Sequence, residues 1–587
     1  MNYPKLNLVS GSGSRTSKEI TDVFAGYNHN LRIADGEFFD TWNLTNDSYP
    51  LLSSRKKRGL FKELTAGQGL IEKDALCYVD DGTLYVNELA TSITGLSAGE
   101  KQLVSMGAYI VIFPDKVYYN TADPTDYGSM EASWQSTGTV TYTPCKADGT
   151  AYTIGSEGDS EPIDPENGDT WIDTGDGGRT MRQYSSSEGC WLEITEVFTK
   201  IGFTTQGSLP ALFKEYDGVE ISGSSFDELN GQKILYAVGG EENSAADYAV
   251  VVGLVNNGGN ETQDVVKIQR KVPQMDFVCE CRNRLWGCFY GNDGEQNLNE
   301  IYCCALGDFK NWSQYLGLST DSWRGSVGSD GQWTGAVNYL GEPIFFKENR
   351  IHRVSVSSEG AHRIDEMVCR GVQKGSHRSL QVVNETLYYK SRSDVVAYQG
   401  GFPVGISAAF GEEVYDSAVG GTFGQRYYLS MKDKGGAWHL FVYNITRSLW
   451  LHEDDMHAED FARVDDEFYC LSGDKIWALN GTAGEPETEI RWMAETGILY
   501  YAFSNKKYVS RYNIRGKMEK GAEMEIYIEY DSDGKWQKKG KIKQAGTGST
   551  MLPIRPRRCD HMRLRIVGKG EAKIFSITKI LAVGSDI

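Results

Sequence analysis

The chain has 587 residues, 40% apolar and 24% charged, which excludes a disordered chain and leaves room for about three or four cores. Its net charge of −20 makes it a poor grip for nucleic acid, whose phosphates need Lys and Arg, although an acidic wall would let DNA slide past. No apolar run reaches the roughly 20 residues of a membrane-spanning helix.

From the N-terminus, MNYPKLNLVSGSGSR lacks the charged-then-apolar order of a secretory signal, which predicts a protein made in a cytoplasm and either kept there or released by lysis. Residues 1–60 read as an irregular arm, because ADGEFFDTWNLTNDSYPLLSSRKKRG shows neither period 2 nor period 3.6. The arm ends in Arg55, Lys56, Lys57 and Arg58, expected to be a solvated loop or a contact to a neighbouring subunit or DNA.

A hairpin unit then recurs. CYVDDGTLYVN (77–87) is strand, Asp-Gly turn, strand. Related units stand at 108–120, 276–291, 336–354, 380–400, 421–453 and 460–481, and Val337, Val382, Gly421 and Ala462 align at an interval near that of a four-stranded propeller blade. Together with 66 Gly, 33 Tyr and 13 Trp, this predicts an all-β chain. The expected plan is a β-propeller over 61–120 and 271–490, with five to seven blades and six preferred. Residues 121–270 interrupt the series as an inserted small β domain, in which Trp171, Tyr184 and Trp191 form a mini-core and 213–255 a small barrel or sandwich. Residues 491–587 alternate clearly, with Met562, Leu564 and Ile566 facing in and Arg563 and Arg565 out, as in a C-terminal β-sandwich.

Motifs for chemistry are sparse. LHEDDMHAED (451–460) is dense in His452, Glu453, Asp454, Asp455, His457 and Asp460, but adjacent side chains on an extended chain diverge, so a solvated turn is expected rather than a divalent metal site. GSGS (11–14) and IDTGDGGRT (172–180) lack the helix or spaced ligands that phosphate or calcium needs. Eleven Cys form no paired CxxC set and read as buried thiols. No GxSxG elbow is present, and neither catalytic residues, metal nor cofactor are expected. Trp171 and Trp191 are the candidates for stacking on a sugar ring.

The stretch DGEFFDTWNLTNDSYPLLSSRKKRG, with NRLWGC, LGDFKNW, VGSDGQWTGAV, FFKENRIHRV, CRGVQKGS, NETLYYKSRSDVVAYQGG, RWMAETG and RCDHMRLRIVGKGEAKIFSITKI, resembles phage and prophage stabilisation proteins of Gram-positive gut bacteria, over residues 24 to 587. The plan is also similar to the propeller hub or nozzle proteins that seal podophage tails below the portal and adaptor. That resemblance implies a structural, non-enzymatic virion subunit in the tail, assembled in the host cytoplasm. It further implies a self-assembled ring, commonly sixfold, that encloses DNA without reading its sequence and contacts portal, adaptor or other tail proteins. The alternative is a tail propeller that binds a host glycan or receptor. A propeller hydrolase, marked by acidic residues ringing the central funnel, ranks third.

Overall fold

The computed structural model describes residues 16–175, 177–240, 246–256, 260–294, 296–357, 361–500 and 506–583. Among them the regular structure is almost entirely strand, with three one-turn 3₁₀ segments. The hairpin signals act as predicted: Asp80 pairs with Thr83 across Asp81 and Gly82, both at positive φ (45° and 72°), the two-residue turn whose twist matches its strands. Asn384 and Glu385 close Val383 onto Thr386 in the same way.

Five of the seven hairpin units are four-stranded sheets of their own, 421–453 is a four-stranded meander at the end of a larger sheet, and 460–481 gives three strands to a five-stranded one, so among the described residues the blade-type sheets number seven rather than the preferred six. Val337, Val382, Gly421 and Ala462 all fall in the opening strands of consecutive sheets: Gly335–Tyr339, Gln381–Val383, Tyr415–Phe423 and Asp460–Val464. Blades pack on both faces, which removes strict alternation; Thr386–Lys390 is buried at every residue.

The chain forms two compact units. One holds the residues up to Glu100, with Phe346–Ile351 and Met367 onward; the other holds Lys101–Phe345 with His352–Glu366. In the first, the opening strands Gln381–Val383, Tyr415–Phe423, Asp460–Val464 and Gly67–Glu72 lie side by side in that order, as inner strands of a propeller do. The sheet opened by Asp460–Val464 lacks a fourth strand from its own run. Gly59–Glu63 supplies it by pairing with Lys475–Ala478.

The arm is therefore not irregular. Gly26–Tyr27 pairs with the blade strand Leu449–Asp454 and with Glu37–Trp42, which pairs with Arg491–Thr496, so one ten-stranded sheet runs from blade to C-terminal sandwich. Thr16–Thr21 adds to Ala572–Val583 of the opposing sheet. Phe24, Phe38, Leu44 and Leu52 of the arm join Trp492, Ile526, Leu564 and Ile577 in one core. No period showed in the arm because its short strands belong to different sheets. In the sandwich, Met562, Leu564 and Ile566 are buried, and Arg563 and Arg565 lie half-exposed on the other face.

In the second unit the opening strands Gln102–Met106, Phe277–Glu280 and Gly335–Tyr339 neighbour one another. Between the first two of these in sequence, residues 132–270 build two sheets around a core of Trp134, Tyr142, Ile201, Phe203, Ile221 and Ile268. A third, small sheet runs from Ile154–Gly158 to Cys190–Glu193. All eleven thiols are free; nine are buried, Cys369 is half-buried and Cys190 is exposed.

Candidate functional site

The first unit contains a cavity of about 580 Å³, lined by residues of the opening strands Gly67–Glu72 and Tyr415–Phe423 together with others from later strands and loops of its blades. Gln68, in the strand Gly67–Glu72, preforms one side. Its amide nitrogen donates to the carbonyls of Ser97 and Gly99, both at 2.9 Å, and its oxygen accepts from the Gly82 N–H at 2.8 Å. Gly82 sits at φ 72° with the Leu96 carbonyl 2.9 Å from where a Cβ would be, so a side chain there would push the loop away.

That loop delivers Glu100. One carboxylate oxygen lies 3.0 Å from His377 Nε2 and 2.8 Å from Arg378 Nε, on the 3₁₀ turn His377–Ser379. The His377 hydrogen bond, against the upward push of burial and helped by the Arg378 charge, holds the Glu100 carboxyl down at about 2. Arg378 also meets Asp460 at 3.2 Å and donates to the Glu459 carbonyl. Across the cavity, Trp438 and His457 are stacked, ring centres 3.9 Å apart at 18°. His457 Nδ1 lies 4.0 Å from the Glu459 carboxylate, whose pKa burial raises. The site thus joins an aromatic wall to a fixed set of charges, with Asp81, Glu100 and Glu459 outnumbering Arg378.

The residues singled out from the sequence lie elsewhere or take other roles. Arg55 and Arg58 do not reach outward. Arg58 meets Glu453 and Asp454, each at 2.6 Å, and Arg55 holds Glu487 through both terminal nitrogens at 2.7 and 3.0 Å. Both arginines are buried and ion-paired inside the chain, so neither is presented to a neighbour or to DNA; Lys56 alone is exposed, and Lys57 donates to the Thr488 carbonyl. Burial raises the Glu487 carboxyl, but Arg55 and Arg58 prevail and hold it below the usual range.

The acidic run at 451–460 is a solvated turn only from Asp455, which is exposed. His452, Glu453 and Asp454 are buried in the strand Leu449–Asp454 because their partners come from the arm. His452 hydrogen-bonds Asp40 at 2.9 Å and His439 at 3.2 Å, and His439 reaches Asp433 at 3.1 Å. Among the described residues no group of three or more His, Cys, Asp or Glu is placed to hold a metal ion. Within the same residues no helix is long and apolar enough to cross a membrane. Trp171 and Trp191 meet edge to face at 5.6 Å, and Trp191 meets Tyr184 at 5.5 Å. Both Trp rings are buried in the small meander and offer no open stacking face. GSGS (11–14) lies outside the described residues, as does Asp176 of IDTGDGGRT.

The cavity residues went unremarked in the sequence as a site, although His457 and Glu459 stood in the acidic run and Asp81 and Gly82 in the turn of the first hairpin. Glu100, the adjacent His377 and Arg378, and Trp438 come from three separate segments and share no spacing that marks them.

No family model matches the chain, and no curated protein does. Solved structures do. The extracellular domain of a hybrid two-component system from B. thetaiotaomicron is 9% identical, with 91% of this chain and 98% of that one covered and a TM-score of 0.24. A glycoside hydrolase is 10% identical over 52% of this chain and 96% of its own, TM-score 0.21. A Trypanosoma rangeli sialidase bound to 2,3-difluorosialic acid is 8% identical over 90% and 96%, TM-score 0.20. At this distance none of them transfers a residue role to this chain. The expectation that the chain is not an enzyme is nevertheless withdrawn, because the structures it matches include a glycoside hydrolase and a sialidase.

Proposed function

We propose that this chain is a structural subunit of a bacteriophage particle, a ring-forming tail hub or nozzle, or a portal-proximal component, that closes or extends the DNA channel. The observation that carries the reading is the way the arm is sewn into the body. Gly59–Glu63 completes the last blade, Glu37–Trp42 bridges a blade sheet to the sandwich, and Thr16–Thr21 adds to the opposing sheet. Strands that far apart in sequence, paired along their backbones and clamped by buried ion pairs, let a pull on one part spread through many hydrogen bonds. A part under load in a particle needs that. The net charge of −20 suits a wall past which DNA slides.

Native mass spectrometry of the purified chain, alone and with tail extract, tests the reading. A closed homo-oligomer in either sample is expected, and a monomer in both overturns it. Labelling the subunit in intact particles then gives its position; signal away from the tail or portal overturns the assignment.

A further inference from the structure

We propose that the cavity of the first unit is a binding site for a neutral or amino saccharide of one or two rings. The inference goes beyond the structural reading and can stand or fall without it. The cavity falls inside the range of about 300–1,000 Å³ typical of small-molecule sites. Its Trp438–His457 pair presents stacked aromatic surface beside a carboxylate, the combination that suits a pyranose, which is apolar on its C–H faces and rimmed by hydroxyls. Facing it, Glu100 and Arg378 are held in one geometry by mutual bonds, so hydroxyl recognition costs little ordering of side chains. Gln68 fixes the loop that carries Glu100 in the same manner.

Charge narrows the ligand further. Asp81, Glu100 and Glu459 line the cavity against one arginine, and that arginine is already shared with Asp460. A saccharide bearing a carboxylate would meet like charge, whereas a neutral or amino sugar would not. The sequence had placed glycan stacking on Trp171 and Trp191, whose rings are packed against each other.

The test uses the full chain with N,N′-diacetylchitobiose, galactose, mannose and glucosamine as neutral or amino probes and N-acetylneuraminic acid as the anionic one. Binding is read by intrinsic fluorescence and by saturation-transfer NMR. At least one neutral or amino probe should bind saturably, and the acid about tenfold more weakly or not at all. Trp438→Ala should weaken binding by about tenfold or more, and Trp171→Ala should leave it unchanged. Should Trp438→Ala melt early, Ser417→Trp, which fills the cavity from its lining, replaces it and should also abolish binding. No saturable binding of any neutral or amino probe overturns the proposal. So does equal binding of the acid, wild-type affinity in the cavity variant that folds, or loss of binding in Trp171→Ala.

Discussion

Arg58 meets Glu453 and Asp454 about 395 residues further along the chain, and all three side chains are largely withdrawn from water. Removing one partner of such a set leaves a buried charge uncompensated, so Arg58→Ala should cost about 3–5 kcal/mol, whereas Lys56→Ala, at an exposed position, should stay within about 0.5 kcal/mol. Urea denaturation of the two variants beside the wild type checks both; equal midpoints would mean that the cluster contributes nothing. This cluster also marks what a single sequence conceals. The basic run at 55–58 and the acidic run at 451–460 were each visible, and each alone reads as solvated charge. Only the pairing of strands makes them partners. At the cavity, Glu100 belongs to the opposite regime: its carboxyl is pulled from an ordinary 4.5 down to about 2. A depressed value means that the stabilisation is full above about pH 4.5 and is lost as pH falls through about 2. The stability gap between wild type and Glu100→Gln should therefore shrink over that window, as measured by denaturation midpoints at successive pH values. A gap that persists at pH 2 would show that the bonds to His377 and Arg378 do not depend on the ionised carboxylate.

At the scale of the element, Arg491–Thr496 and Met562–Lys569 place Trp492 directly opposite Gly568. The indole covers the glycine, and a Cβ at Gly568 would lie 1.9 Å from the ring. Because the indole N–H is tied to the Gly570 carbonyl at 2.9 Å, the ring cannot simply step aside. Gly568→Ala is expected to destabilise by about 1–3 kcal/mol through overpacking, and Gly178→Ala, with nothing within 4 Å, by less than about 0.5. Thermal melts of the two variants decide it, since equal melting temperatures would mean that the Trp492 site relaxes freely. Elements of this kind were the legible part of the fold. Alternation in MRLRIVG announces one buried face, and DDGT announces its own turn type, because both signals are local. The arm was illegible because Gly26–Tyr27, Leu44–Thr45 and Leu52–Ser54 are too short to show a period, and the longer Glu37–Trp42 carries a register shift between Phe38 and Asp40 that breaks its alternation. Gly26–Tyr27 and Leu52–Ser54 are anchored on longer strands hundreds of residues away, Leu449–Asp454 and Ala572–Val583. The same separation hid the cavity, whose Trp438, Glu100 and Arg378 belong to no shared motif.

At the scale of the whole molecule, the chain is a body interrupted by a guest. Ala132 pairs with Arg270, so the entry and exit of the 132–270 segment lie side by side, as insertion into a host requires. Its core of Trp134, Tyr142, Phe203, Ile221 and Ile268 is drawn from the segment alone. Polar contacts tie it to the host blade in the same unit: Gly218 N–H donates to Asn311, Asn311 donates to the Tyr216 carbonyl, Gln232 donates to Ser313, and Lys214 meets Asp308 at 2.8 Å, with Gly218 close against the Ser313 backbone. Hydrogen bonds of this kind contribute about 1 kcal/mol each, far less than a buried core of that size. The segment should therefore fold by itself. Expressed as residues 132–270, it is expected to unfold in one cooperative transition, with dispersed amide resonances before the transition. The host rejoined across Glu131 and Lys271 by a short glycine linker should also melt cooperatively, because its blades keep their own strands. A broad, non-cooperative melt of the isolated segment would mean that the blade surface at Asp308 and Asn311 is part of its fold, and that the two were never separable.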